Sequence, residues 1–387
     1  MGEMRVSLMC VMAGIYLHIP FCRQACHYCD FHFSTNAEIK EQLIHAMGEE
    51  ISLQRDYLDN EPVNTIYFGG GTPSLLSPLE FAALLQTIHR TFTVSPDAEV
   101  TLEANPDDIA EEGLRALKSI GINRLSIGVQ SFDDDILRYL NRAHNAQSAT
   151  RSVEIAKTAG FTNISIDLIY AIPGLSSQEW NRAITKALSL RPQHISAYTL
   201  TIEEKTAFGN WLAKGKLIPV DEALAAEQME MLVTALTSNG FRHYEISNFA
   251  LPGFESRHNN NYWKGGKYLG IGPSAHSYNG ATRQSNVSNN HLYVREIKMK
   301  KIPAETEVLQ KGDQINEYIL TTLRTDDGCD LHFLKSHFGY DVLSLHKGYL
   351  QELENHNLIA VVDQHLKLTD AGKLLADKIS SDLFLTE

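Results

Sequence analysis

The chain has 387 residues, 43% of them hydrophobic, with a formal charge of −13 from 34 basic and 47 acidic side chains. It is long enough for one large α/β domain plus a smaller one, and apolar enough to fill a core. No long basic run is present, which excludes a general electrostatic surface for a phosphate backbone or an anionic membrane; nucleic acid is not an expected partner.

Residues 1–13 read as an N-terminal extension. The apolar stretch Ser7 to Ile19 follows Arg5 but has no small-x-small cleavage site and runs into a cysteine cluster. No stretch is apolar for long enough to span a bilayer. Over residues 14–204, short β-rich runs alternate with amphipathic helical stretches, the pattern of parallel βα units. Six strands are predicted: Gly14 to Ile19, Val63 to Phe68, Glu99 to Glu103, Arg124 to Val129, Asn163 to Tyr170 and His194 to Tyr198. Helices are predicted at Glu38 to Leu58, Pro78 to Thr91, Ile109 to Ile120, Ala146 to Ala159 and Ser177 to Leu190. The fold class is therefore α/β, an incomplete (β/α)6 barrel of the TIM type. In such a sheet the loops leaving the strands' carboxyl ends carry the chemistry. Here Cys22 to Cys29, GGGTP, Glu103 with Asn105, and Gln130 follow strands one to four and form one rim.

Residues 205–304 carry helices near Thr206 to Lys214 and Asp221 to Asn239, then a Gly- and aromatic-rich stretch from Tyr244 to Asn279 that is expected to flank the barrel and shape a pocket. Residues 305–387 read as a mainly α, winged-helix-like domain: helices at Gln314 to Thr322, Asp330 to Phe338 and Asp341 to Asn355, a hairpin across Leu358 to Leu368, and a helix from Thr369. Its wing lacks the Arg and Lys density of a nucleic-acid reader, so a capping role is expected.

Five cysteines in so long a chain make no disulfide framework, and reduced thiols point to the cytoplasm. Three of them, Cys22, Cys26 and Cys29, stand at C-x3-C-x2-C on the loop leaving the first strand. A structural zinc site is closed by a fourth protein ligand, whereas an iron–sulfur cluster on three cysteines leaves one iron open to an exchangeable ligand. His18, His27 and His32 are near enough to complete a Cys3His zinc site, so both metals stay open on the residues alone. Cys10 and Cys329 have no partner motif and read as small apolar residues. Gly69 to Pro73 is neither a phosphate loop nor a dinucleotide fingerprint; its bare backbone suits the ammonium and carboxylate ends of an amino acid. Glu103, Gln130, Arg142 and Asp167 at later strand ends could fix that amino acid and a ribose; each alone reads more readily as a satisfied structural residue, but together on successive strands they favour a ligand.

YLHIPFC-x3-C-x-YC together with GGGTP resembles the radical S-adenosylmethionine (SAM) superfamily, in the branch around oxygen-independent coproporphyrinogen III oxidase. SIGVQSF at Ser126 to Phe132, LNRAH at Leu140 to His144, IDLIYAIPG at Ile166 to Gly174 and YLGIGPSAHS at Tyr268 to Ser277 extend the likeness over most of the chain. The resemblance implies a [4Fe-4S] cluster on Cys22, Cys26 and Cys29, SAM contacts from Tyr16, Gly71, Thr72, Glu103, Gln130, Arg142 and Asp167, and reductive cleavage of SAM to a 5′-deoxyadenosyl radical.

Two departures separate the chain from the oxidase. Its pattern continues C-x3-C-x2-C-x-C, where this sequence has Phe31, and it carries a longer extension ahead of the Tyr-x-His strand. Both departures, with HNNNYW at His258 to Trp263, resemble instead the heme chaperone family HemW. That likeness implies a protein that binds heme and passes it to an acceptor hemoprotein of unknown identity, with a transient membrane-protein partner left open. His258 would offer an imidazole to the heme iron, with His276 and His144 as rivals, while Tyr262 and Trp263 would pack on the porphyrin. The bland alternative is an Asn-rich turn ending in two buried aromatics. Oxidative decarboxylation of coproporphyrinogen III is the competing activity.

Overall fold

A computed structural model describes residues 13–386. Apart from Ala13, the proposed extension lies outside the described residues, as does Cys10. The six predicted strands are present as β1 Ala13–Ile19, β2 Val63–Gly70, β3 Val94–Ala104, β4 Arg124–Gln130, β5 Ile164–Tyr170 and β6 His194–Thr199. They pair in parallel in chain order. Parallel strands are covered on both faces, which is why β1 and β5 read as nearly continuous apolar runs rather than as alternations. The outer face packs on α1 Lys40–Leu53, α2 Pro78–Thr91, α3 Glu111–Ser119, α5 Ala146–Thr158 and α6 Ser177–Ser189; α4 Asp134–Tyr139, which the sequence reading missed, is a short turn capped by the Asp133 carboxylate at the Asp135 and Ile136 N–H groups. α2 and α6 each start with a reciprocal Ser–Glu capping box, Ser77 with Glu80 and Ser176 with Glu179.

The differences from expectation have local causes. The first helix stops at Leu53 rather than Leu58: Gln54 leaves helical geometry as its C-cap, and a turn then runs on to Asn60. The stretch 341–355 breaks into two helices at His346, and the last helix breaks at Leu375. The flanking region does more than line a pocket: it extends the sheet at both edges. After α7 Ala207–Ala213 and α8 Glu222–Ser238, strands β7 Arg242–Glu245 and β8 Asn248–Ala250 add antiparallel beyond β6. Following α9 Arg257–Trp263, β9 Tyr268–Ile271 pairs parallel with β1, and β10 His276–Tyr278, β11 Thr282–Asn286 and β12 Ala304–Val308 continue outward, with α10 Asn290–Lys298 on the face. The result is an open twelve-stranded sheet with the barrel at its centre.

A second hydrophobic core, from Ile315 to Leu383, holds helices and a small three-stranded sheet. Arg324 fastens it to the barrel. Its guanidinium pairs with Glu245 at 3.1 Å and Asp377 at 3.3 Å, and lies 5.1 Å from the ring centre of Trp263. Among the described residues, no helix is long and apolar enough to cross a membrane.

Candidate functional site

The chain leaves β1 at Pro20 and returns on itself: the Cys22 N–H donates to Ser34 O at 3.0 Å and the Ser34 N–H to Pro20 O at 2.8 Å. The loop so closed is pinned from below, where the Gln24 amide donates to Asn141 and the His27 N–H to Leu140 O. Cys22, Cys26 and Cys29 thereby face a cavity of about 540 Å3 at the carboxyl ends of the strands. Gly71, Thr72, Glu103, Gln130, Arg142 and Asp167 line the same cavity. Tyr16 sits behind it, stacked on Tyr67 with its hydroxyl 3.2 Å from His18 Nδ1.

The GGGTP glycines answer first to protein neighbours. A Cβ on Gly71 would stand 2.8 Å from the carbonyls of Ile19 and Phe21, and the Gly71 and Thr72 N–H groups donate to those same oxygens. The loop is thus docked on the cysteine loop through Gly71 and Thr72, while the Gly70 N–H donates to Glu103 Oε2 at 3.2 Å, so these donors are engaged rather than free for a ligand.

Two side chains reach the cysteines directly. The Thr72 hydroxyl donates to Cys22 Sγ at 3.4 Å, and Arg142 donates to Cys26 Sγ at 3.4 Å. Burial raises the Cys22 thiol, and raises Cys29 to about 12. Arg142 also donates to Asn105 and Gly128 O, while its buried Nε has no partner among the described residues. Burial lifts the Glu103 carboxyl to about 7; the Tyr67 hydroxyl donating at 2.8 Å opposes the rise and nearby Asp167 adds to it. Asp167 is also raised by burial, against hydrogen bonds from Ser126 and Ser165. Gln130 ends β4 in a positive-φ conformation.

The HNNNYW stretch does not line this cavity; of its residues only Asn259 does. It forms α9, not a turn: Ser256 caps it, and the Glu99 carboxylate accepts the Arg257 and His258 N–H groups, a negative charge at a helix start. α9 lies across the barrel's other end. The His258 ring sits over Gly14, 5.0 Å from Tyr67, with Nδ1 2.9 Å from Thr65 Oγ1. Nε2 has no hydrogen-bond partner among the described residues. Burial first, and Arg124 second, lower this imidazole to about 3, so it is neutral at ordinary pH. Tyr262 is exposed, Trp263 half-buried, and their rings stand at 85° to each other, so one planar ligand can lie flat on only one of them. Of the rivals, His144 is buried with Nε2 engaged by Val129 O, whereas His276 is exposed on β10.

Residues 16–187 match the family model described as the radical SAM superfamily, and residues 309–375 the HemN C-terminal domain. The heme chaperone HemW of Bacillus subtilis is 36% identical over 95% of this chain and 98% of its own length, and that of Lactococcus lactis 36% over 96% and 97%. This chain belongs to the HemW family. A zebrafish mitochondrial protein named for its radical SAM domain is 30% identical over 97% of the chain and 87% of its own. Coproporphyrinogen III oxidase (HemN) from Escherichia coli superposes with a TM-score of 0.82 over 96% of the chain and 90% of its own, at 22% identity, which shows a shared fold. Membership of a radical SAM family implies a [4Fe-4S] cluster and SAM.

The sequence reading of this HemW-family chain left several lumen residues without a role. Arg124, Ser126, Ser196 and Tyr198 line the cavity. Arg124 is buried, its Nε without a hydrogen-bond partner among the described residues and Glu99 4.0 Å away. The signal was a period of two along β4 and β6, which sets residues 124, 126, 128 and 130, and 194, 196 and 198, on one face. Read as continuous buried strands, those faces were not separated.

Proposed function

We propose that the chain is a cytoplasmic heme chaperone that binds heme and passes it to an acceptor protein, and that it carries a [4Fe-4S] cluster on Cys22, Cys26 and Cys29 with exchangeable SAM. The observation that carries this reading is the three-thiol rim closed by Phe31, not by a fourth cysteine, in a chain 36% identical to HemW over nearly its whole length. The donor set fits a cluster better than zinc. A structural zinc site needs a fourth protein ligand, and the candidates His18, His27 and His32 each have a ring nitrogen engaged by a protein partner, His32 O, Tyr139 O and Asn290 Oδ1 in turn. Three cysteines on one cavity would leave one iron of a cluster open to an exchangeable ligand.

A bound cluster supplies the electron that reductive cleavage of SAM requires. The chain's own residues do the rest. Glu103 and Arg142, both lining the cavity, would hold the charged ends of SAM, Glu103 its ammonium and the Arg142 guanidinium its carboxylate. Gly71, Thr72, Gln130 and Asp167 would complete the surround, Asp167 and Gln130 serving the ribose, with Tyr16 one layer behind them. At the opposite end, His258 offers neutral Nε2 to the heme iron, with Tyr262 as the exposed ring on which a porphyrin can lie and Trp263 at its edge.

The deciding experiment is anaerobic purification, an absorbance spectrum, and titration of heme into wild type and His258→Ala, followed by transfer to an apo-hemoprotein. A brown chromophore with heme binding that weakens about tenfold or more in the variant supports the reading. Absent heme binding beside an intact cluster overturns it in favour of the oxidase, and protoporphyrinogen formed in step with 5′-deoxyadenosine would establish that activity.

A further inference from the structure

Asn105 follows β3 on the rim, and its side-chain amide touches two neighbours that themselves reach two different cysteines. Its Nδ2 donates to Thr72 Oγ1 at 3.1 Å, and Thr72 passes its own proton to Cys22 Sγ at 3.4 Å. Its Oδ1 accepts from Arg142 Nη2 at 2.7 Å, and the other Arg142 nitrogen, Nη1, donates to Cys26 Sγ at 3.4 Å. Only one amide orientation satisfies both sides: a guanidinium has no acceptor, so it must meet the oxygen, and a hydroxyl spending its proton on sulfur must receive the NH2. The backbone is held in place as well, with the Asn105 N–H donating to Ser74 Oγ, and Ser74 in turn to Asp108, itself paired with Arg23 of the cysteine loop.

We propose that Asn105 is a positioning residue for the cluster: it aims one hydrogen bond at Cys22 and one at Cys26, and through them sets how readily the cluster takes up an electron. Hydrogen bonds to ligating sulfur stabilise the more negative, reduced cluster and so raise its potential. The inference rests on the reading that the three cysteines hold that cluster. Asn105 touches no cysteine itself, and a purely structural residue would leave the potential where it is.

The discriminating substitution is Asn105→Asp, which keeps the shape and the Arg142 contact but has no donor for Thr72. The Thr72 hydroxyl then turns to the new carboxylate and Cys22 loses its hydrogen bond, while the added negative charge acts in the same direction. In the reconstituted full-length protein, a redox titration followed by electron paramagnetic resonance is expected to show a lower midpoint. The expected shift is at least a tenfold drop in the reduced-to-oxidised ratio at fixed potential, about 59 mV for one electron. Thr72→Val should move it the same way by less. Asn105→Ala, which releases both arms, serves if the aspartate variant loses its cluster. An unshifted midpoint and unchanged resonance signal in a cluster-bearing Asn105 variant overturn the inference alone; a wild type that assembles no cluster overturns the cluster reading beneath it.

Discussion

The barrel's two ends are built in opposite ways. At the rim, most functional side chains come from a strand end or the loop that directly follows it: the cysteines after β1, GGGTP after β2, Glu103 and Asn105 at the end of β3, Gln130 closing β4, with Arg142 arriving after α4. At the floor, the ring of His258 arrives from a helix almost two hundred residues beyond its Thr65 partner, and Glu99 on β3 anchors that helix. Between Gly14 and Ile19, β1 rises roughly 3.3 Å per residue, so the floor and the rim are separated by about the depth of the barrel. The contrast teaches that one barrel can set two environments end to end: paired charges and sulfur above, a neutral imidazole among aromatic rings below, with Tyr67 between them, 2.8 Å from Glu103 and 5.0 Å from the His258 ring.

The largest test of that separation is Cys29→Ala. It is expected to abolish the visible iron–sulfur absorbance while leaving heme titration at the floor within about twofold of wild type; loss of both together would show that the ends are one site.

Next come the opposite pH signatures. His258 is depressed to about 3 from an ordinary 6.5, so its contribution to stability is full above pH 6.5 and is lost as pH falls toward 3. Glu103 is raised to about 7 from an ordinary 4.5, so its contribution is full below pH 4.5 and is lost as pH rises through 7. Each changes stability by up to about 1.4 kcal/mol per pH unit within its window. Thermal midpoints measured from pH 4 to 8 should therefore flatten on the acid side in His258→Asn and on the neutral side in Glu103→Gln.

Gly14→Ala sharpens the floor. Its new Cβ would stand 2.8 Å from Thr65 Oγ1 and 3.3 Å from the His258 ring, so crowding should cost about 1–3 kcal/mol and weaken heme binding with the cluster spectrum unchanged. The smallest effect is expected of Ser256→Ala, which removes the cap of α9 at about 1 kcal/mol, read as a lower denaturation midpoint.

Much of the rim was legible in the sequence because strand ends, turn glycines and ligand spacing are local signals. The six parallel strands were legible for the same reason. What escaped notice depends on partners far away. Strands β7 to β11 run only three to five residues and form by pairing with edges that β1 and β6 leave open. Asn259, Asn260 and Asn261 are poor helix formers, yet α9 is helical because Ser256 and Glu99 satisfy its first N–H groups. Asn105 stood on the rim from the start, but its amide matters only through Thr72 and Arg142, which the fold alone brings to it.

Arg324 gives the C-terminal unit a stake in the floor. One guanidinium grips Glu245, Asp377 and the face of Trp263, whose helix carries His258 five residues earlier. α9 is therefore a lever with its far arm held outside the barrel. Any tilt of α9 at His258 would have to carry the C-terminal unit with it or loosen that grip on Trp263.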